Sequence, residues 1–337
     1  MAIQQFGRKA GLFVIKPATN GSAAADFANA TPQKTLDLSN LHFQFQTKNQ
    51  DEEGPSNCSI RIFNLKQETA ELMVKYGYSQ VVVQAGYEGS YGVVFQGNIK
   101  QFRIGRLNQT DSYVDILAAD GDLVYAFGFI NKTLSAEQNN PAGIKAAFNE
   151  TAQKYRASMG PDLTESVGAA GGTLPRGKVM FGMLRAQLYD YANSRLATWS
   201  IQDGKIQIIP LKGYLKDQPV FLSERTGMIG VPEQTQDGIK IRCLINPRII
   251  VGGRVTIDNK SINQTINQSP FSPQLPNAGI PFDKWVGVVQ LANPARDGDY
   301  RVYAVEHHGD TRGQDWYSDL ICLADDNSSG NVSPYGE

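Results

Sequence analysis

Histidine and cysteine are scarce, three of each among 337 residues. A metal centre or a thiol catalyst needs such side chains gathered together. Cys58, Cys243 and Cys322 instead lie far apart, each within an apolar alternating run. An odd set of that kind reads as buried thiols in a reducing compartment and not as a disulfide framework. Charge is also low, with 32 Lys and Arg against 33 Asp and Glu, 19% charged residues and a net charge of -1, where about 25% is usual. A dedicated binder of nucleic acid or of an anionic membrane would be basic. A passive channel wall past which DNA slides has no such need. No run approaches the roughly 18 apolar residues of a membrane span, so no membrane insertion is expected. Arg8-Lys9 ahead of Ala10 to Ile15 imitates a signal peptide, but Lys16 ends the apolar stretch short of the usual h-region of about 7–15 residues. An uncleaved cytosolic N-terminus is expected.

At roughly 150 residues per domain, the length suggests about two domains. Residues 1–35 read as an N-terminal arm or linker, since 17–35 is small and polar without a hydrophobic period. A first β unit spans 36–127. In it Leu41, Phe43 and Phe45 alternate with polar residues, as do Cys58, Ile60 and Ile62, and a long acidic loop joins the two runs into a hairpin. A short helix follows through Leu65, Thr69, Leu72, Met73 and Tyr76, capped by Gly77. Strands at 81–85, 93–104 and 113–119 complete the unit. A helical insertion spans 128–200, with one helix over 141–155 and another over about 178–196, separated by a Gly-rich loop. Asp203-Gly204 supplies the positive φ angles of a two-residue hairpin turn. The second β unit spans 201–324, with strands at 238–245, 254–257, 284–291, 300–307 and 316–323 and a proline-bearing loop over 259–282 that is functional or mobile. The tail 325–337 is polar and expected to be disordered. The fold class is mainly β with a helical insertion (α+β).

No chemical motif survives inspection. Gly172 to Val179 approaches a phosphate-binding loop, but Val179 stands where a Ser or Thr must ligate magnesium, and no buried strand precedes it. In Glu306-His307-His308-Gly309-Asp310 the adjacent histidines point to opposite faces of a strand, so they cannot share one ion. The chain has no Gly-X-Ser-X-Gly elbow, no His-Glu-X-X-His, and no cysteine beside a partner histidine. Asp51-Glu52-Glu53 reads as a solvated acidic face. Trp199, Trp285 and Trp316 lie in or beside alternating runs and read as packing. No catalytic, cofactor-binding or metal residue is therefore assigned, no cofactor is expected, and the chain is read as no enzyme.

Four phrases in order carry a resemblance to a known family. They are Phe63-Asn64-Leu65 with Val81 to Tyr87 and Phe95 to Ile99; Ala197 to Ile201 with the Asp203-Gly204 hairpin; Leu222 to Pro232 running on to Gly238 to Arg248 and Gly252 to Val255; and Tyr300 to Thr311 before Trp316. Spanning about 36–324, they resemble the baseplate (tail) hub proteins of tailed bacteriophages, related to the late control protein D group and to the base of type VI secretion spikes. The resemblance implies two tube-like β-barrel domains per subunit and a homotrimer that forms a ring. That ring would join the six-fold tail tube to the three-fold central spike and line the DNA channel, without specific DNA binding. Implied partners are the spike, tube, tape-measure and neighbouring baseplate proteins. The implied location is the virion tail tip, after assembly in the host cytoplasm. A tail-associated cell-wall hydrolase, or the hub of a tail-like bacteriocin or secretion system, are the alternatives.

Overall fold

The computed structural model describes residues 7–16, 35–51, 53–75, 79–164, 175–211, 213–215, 219–235, 238–257 and 298–324. The Gly77 cap, most of the Gly-rich loop, the 259–282 loop, the 284–291 strand, Trp285 and the tail lie outside them. The chain is mainly β, as its alternating runs predict.

The first unit holds β1 (Arg8–Ile15), β2 (Thr35–Asp37), β3 (Phe43–Gln50), β4 (Asn57–Phe63), α1 (Gln67–Lys75), β5 (Gln80–Tyr87), β6 (Ser90–Arg106) and β7 (Ser112–Ala119). β3 and β4 form the expected hairpin, with Phe43 opposite Ile62. Phe43, Phe45, Cys58, Ile60, Ile62, Val81, Val83 and Ile116 point to one side, where they form a core with Ala70 and Met73 of α1. Fully burying each large aliphatic or aromatic side chain contributes about 1.5–3 kcal/mol. Arg8–Ile15 corrects the sequence reading, which left it in the arm. It is a full strand, pairing with β5 from Arg8 opposite Tyr87 to Ile15 opposite Gln80, and Leu12 and Val14 enter the core.

The middle unit contains α2 (Asp122–Phe127), β8 (Phe129–Leu134), α3 (Pro141–Gln153), β9 (Ser158–Asp162), β10 (Lys178–Met183), α4 (Leu184–Asn193), β11 (Ala197–Gln202) and β12 (Lys205–Pro210). Asn140 caps α3 by accepting from the Gly143 N–H at 2.8 Å, and Pro141 takes the first position, where no N–H is needed. The helix expected over 178–196 begins only at Leu184. Before it, Lys178–Met183 is extended because it pairs with β8, alternating Met180 into the core with Val179 and Phe181 outward. Asp203 (φ 53) and Gly204 (φ 72) make the hairpin turn between β11 and β12. Trp199, Ile201, Ile206 and Ile208 of this hairpin pack with α3 and α4 in a second core. The hairpin therefore belongs with the helices, and a boundary at 200/201 would cut it in two.

The third unit comprises β13 (Val220–Leu222), β14 (Met228–Thr235), β15 (Gly238–Leu244), β16 (Arg254–Ile257), β17 (Asp299–Asp310) and β18 (Trp316–Ala324), around a third core that includes Ile241, Cys243, Val255, Tyr300, Val302, Val305 and Leu320. All three cysteines are buried and free. The first and third units share a single 13-stranded sheet, in the order β14-β15-β18-β17-β3-β4-β7-β6-β5-β1-β2, with β16 beside β17 and β13 beside β16. No closed barrel forms among the described strands. The joint is β17 against β3, from Ala304 opposite Gln50 to Asp310 opposite Gln44.

Candidate assembly surface

Alternation along this sheet gives it one apolar side and one polar side. On the polar side, Lys48, Arg61, Arg103, Lys240 and Arg242 stand among Asp115, Glu233, Glu306, Asp310 and Asp319. The charges balance.

Two constellations recur on that face. Arg61 Nε and Nη2 donate to Asp115 at 2.7 and 2.9 Å, with the guanidinium 4.5 Å from the Tyr113 ring centre. Arg242 Nε and Nη2 donate to Asp319 at 2.7 and 2.9 Å, with the guanidinium 4.3 Å from the Tyr317 ring centre. Each arginine lies directly opposite its aspartate on the neighbouring strand, and each tyrosine precedes that aspartate by two positions on the same face. Bidentate pairing adds geometry to attraction.

The repetition extends to the strands themselves. In the first unit the order is β3-β4-β7-β6-β5, and in the third it is β14-β15-β18-β17-β16. Superposing Asp115 on Asp319 matches Arg61 to Arg242, Ile116 to Leu320 and Gly105 to His308. The long strand of each unit also carries a β-bulge at the matching point: β6 skips Lys100 between Ile99 and Gln101, and β17 skips Tyr303 between Val302 and Ala304. A signal existed in the sequence, Ile60-Arg61 with Tyr113-Val114-Asp115 against Ile241-Arg242 with Tyr317-Ser318-Asp319, but the sequence reading did not use it.

The residues weighed for chemistry are otherwise occupied. His307 and His308 do point to opposite sides. His307 is buried and 2.7 Å from Ser318 Oγ, and burial, with His308 nearby, lowers its pKa to about 4. His308 stacks on Tyr317 and lies 3.7 Å from Glu306. Burial would raise the Asp310 carboxyl, but Gln44, the Arg312 and Gly313 N–H groups and His42 all donate to it and hold it at about 2. Among the described residues no three His, Cys, Asp or Glu side chains gather as a metal site. Burial pushes the Cys243 thiol up to about 12 and those of Cys58 and Cys322 higher still. Trp199 and Trp316 are buried in packing.

Asp51 corrects the reading of a solvated acidic run. Its carboxylate is buried against the Arg301 guanidinium and accepts from Thr198 Oγ1 at 3.1 Å. Arg301 also donates to the Pro210 and Leu211 carbonyls at 2.9 and 3.2 Å. The pair pins the middle unit to the sheet where β3 ends.

No family model and no curated protein matches the sequence. Solved structures do match the fold. The 43 kDa tail protein of prophage MuSo2 from Shewanella oneidensis superposes with a TM-score of 0.54 at 6% identity, over 95% of this chain and 98% of that one. An Escherichia coli component of the type VI secretion system, described as structurally similar to the T4 bacteriophage tail proteins gp27 and gp5, aligns at 0.47 and 8% identity, over 96% of this chain and 78% of that one. A tail protein from Neisseria meningitidis aligns at 0.46 and 10% identity, over 94% and 96%. The chain thus has the fold of the Shewanella tail protein.

Proposed function

We propose that this chain is a structural hub of a phage-type tail, acting through assembly and not through catalysis. Three copies, each supplying two like β units, form a ring of six that joins a six-fold tail tube to a three-fold spike. The observation that carries this reading is the duplicated sheet plan within one chain, since two like units in each of three subunits present six similar surfaces to one neighbour and three to the other. The charge-balanced polar face suits the channel wall. Alternating paired charges leave no basic track to grip phosphates, so DNA passes without being held. Spike, tube, tape-measure and neighbouring baseplate proteins are the partners, at the tail tip of a virion assembled in the host cytoplasm. Native mass measurement tests the reading. A trimer, or a monomer that becomes trimer as concentration rises, supports it, and a strict monomer even when mixed with tube and spike proteins overturns it.

A further inference from the structure

The duplicated plan is incomplete at one place. In the third unit, β17 pairs with β16 through Arg301 and then, past its bulge, with β3 of the first unit. In the first unit, β6 pairs with β5 as far as Asn98, and the Ile99 N–H reaches Ser79. Past its own bulge, residues 101–106 have no partner strand on that side among the described residues. The matching free edge is that of β14, the counterpart of β3, which ends the sheet path and, among the described residues, pairs only with β15.

Burial follows the missing strand. Val305 and His307 are buried where β3 lies alongside, but their counterparts on β6 are Phe102, half-buried, and Ile104, 56% exposed. Phe43 and Phe45 of β3 are buried, whereas on β14 Met228, the counterpart of Phe43, is only half-buried and Val231, in the bulge that replaces Phe45, is 58% exposed. Unpaired N–H and C=O groups beside exposed apolar side chains invite strand addition.

We infer that β6 of one copy pairs antiparallel with β14 of a second copy, repeating between chains the joint that β17 and β3 make within one. The occupant is a second copy because its own edge continues an interface already built inside the chain. The internal register sets the pairing. Glu306 opposite Lys48 translates to Arg103 opposite Thr235, and His308 opposite Gln46 translates to Gly105 opposite Glu233. Arg103 then has Glu233 of the other copy as its diagonal neighbour on the polar face, within reach of long side chains. Arg106 falls opposite the bulge of Gly230, Val231 and Pro232, and Ile104 is covered. The two edges differ, so the contact is head to tail, and in the ring proposed above it closes after three copies.

This inference rests on the ring proposed above, and its test separates the two. Ile104→Lys and Arg103→Glu each weaken assembly at least tenfold by native mass or sedimentation, with monomer melting unchanged because both side chains are exposed, and Glu233→Arg restores assembly in Arg103→Glu. Carbodiimide treatment of Arg103→Lys gives an intermolecular cross-link between positions 103 and 233. A wild-type trimer that ignores these substitutions and lacks that cross-link overturns the β6–β14 pairing and leaves the ring standing. A wild-type chain that never assembles overturns the ring itself.

Discussion

The first and third units share strand order, a bulge position and an arginine–aspartate–tyrosine cluster, but they are covered differently. The first sets α1 against its apolar core and extends its sheet beyond β5 with β1. The third links β15 to β16 by a short turn with no helix, and its apolar side includes Ile249 and Val251 from that turn. What is repeated is therefore the paired sheet and its polar face, and what varies is the cover.

The largest expected effect breaks the comparison where the units differ most. Arg301 occupies the position of Asn98 in β6, so its buried pair with Asp51 has no counterpart in the first unit. Asp51→Ala strands a buried cation and should cost about 3–5 kcal/mol by urea denaturation. A loss below about 1 kcal/mol would show that the pair does not anchor the middle unit. The next test sharpens the likeness: Ile116 and Leu320 are equivalent and both fully buried, so Ile116→Ala and Leu320→Ala should each cost about 2–5 kcal/mol. Equal losses support the superposition, and a severalfold disparity argues that one site is not a core position.

Acid separates the units. His307 ordinarily titrates near 6.5 when unfolded but is held at about 4 when folded. As pH falls from 6.5 towards 4 the unfolded chain takes up the proton first, so stability falls across that window. Ile104, its counterpart, has no such dependence. Asp120 works in the opposite sense: burial and then Asp203 raise it to about 8, against hydrogen bonds from the Gly204, Asp203 and Gly121 N–H groups, so its contribution is lost as pH rises from about 4 to 8. The difference in unfolding free energy between wild type and His307→Leu isolates the histidine, and should change by up to about 3 kcal/mol over pH 6.5 to 4, at 1.36 kcal/mol per unit. A constant difference would place His307 in contact with water. The smallest effect belongs to the exposed clusters: Arg61→Ala and Arg242→Ala should each cost about 1 kcal/mol or less and alike, read by thermal melting.

Local alternation was enough to read the β3–β4 hairpin, β5, β7 and the Asp203-Gly204 turn, because each depends on residues close in sequence. β1 escaped because its partner β5 lies over sixty residues away, and Ala10-Gly11 blurs its period. Met180, Leu184 and Leu188 do fall at helical spacing, so β10 read as helix until β8 drew it out. Asp51 looked solvated beside two glutamates, and only the approach of Arg301 along β17 buries it. The polar face could not be seen as one surface, since its balance of charge is a property of strand order. The candidate assembly edges were invisible for the same reason: Gln101–Arg106 reads as ordinary strand, and its having β7 on one side and no second strand among the described residues is a fact of topology.

The paired bulges act as a change of reading frame. In β6 the inward positions are odd through Phe95, Gly97 and Ile99 and even from Phe102 on; in β17 they are even at Tyr300 and Val302 and odd from Val305 and His307 on. Removing Tyr303 alone would let Val302 and Ala304 alternate without interruption, leaving Glu306 and His308 outward and His307 inward, and would take out only the bend and the added twist. One extra residue thus sets the bend between the half of β17 that pairs within its own unit and the half that pairs with the next.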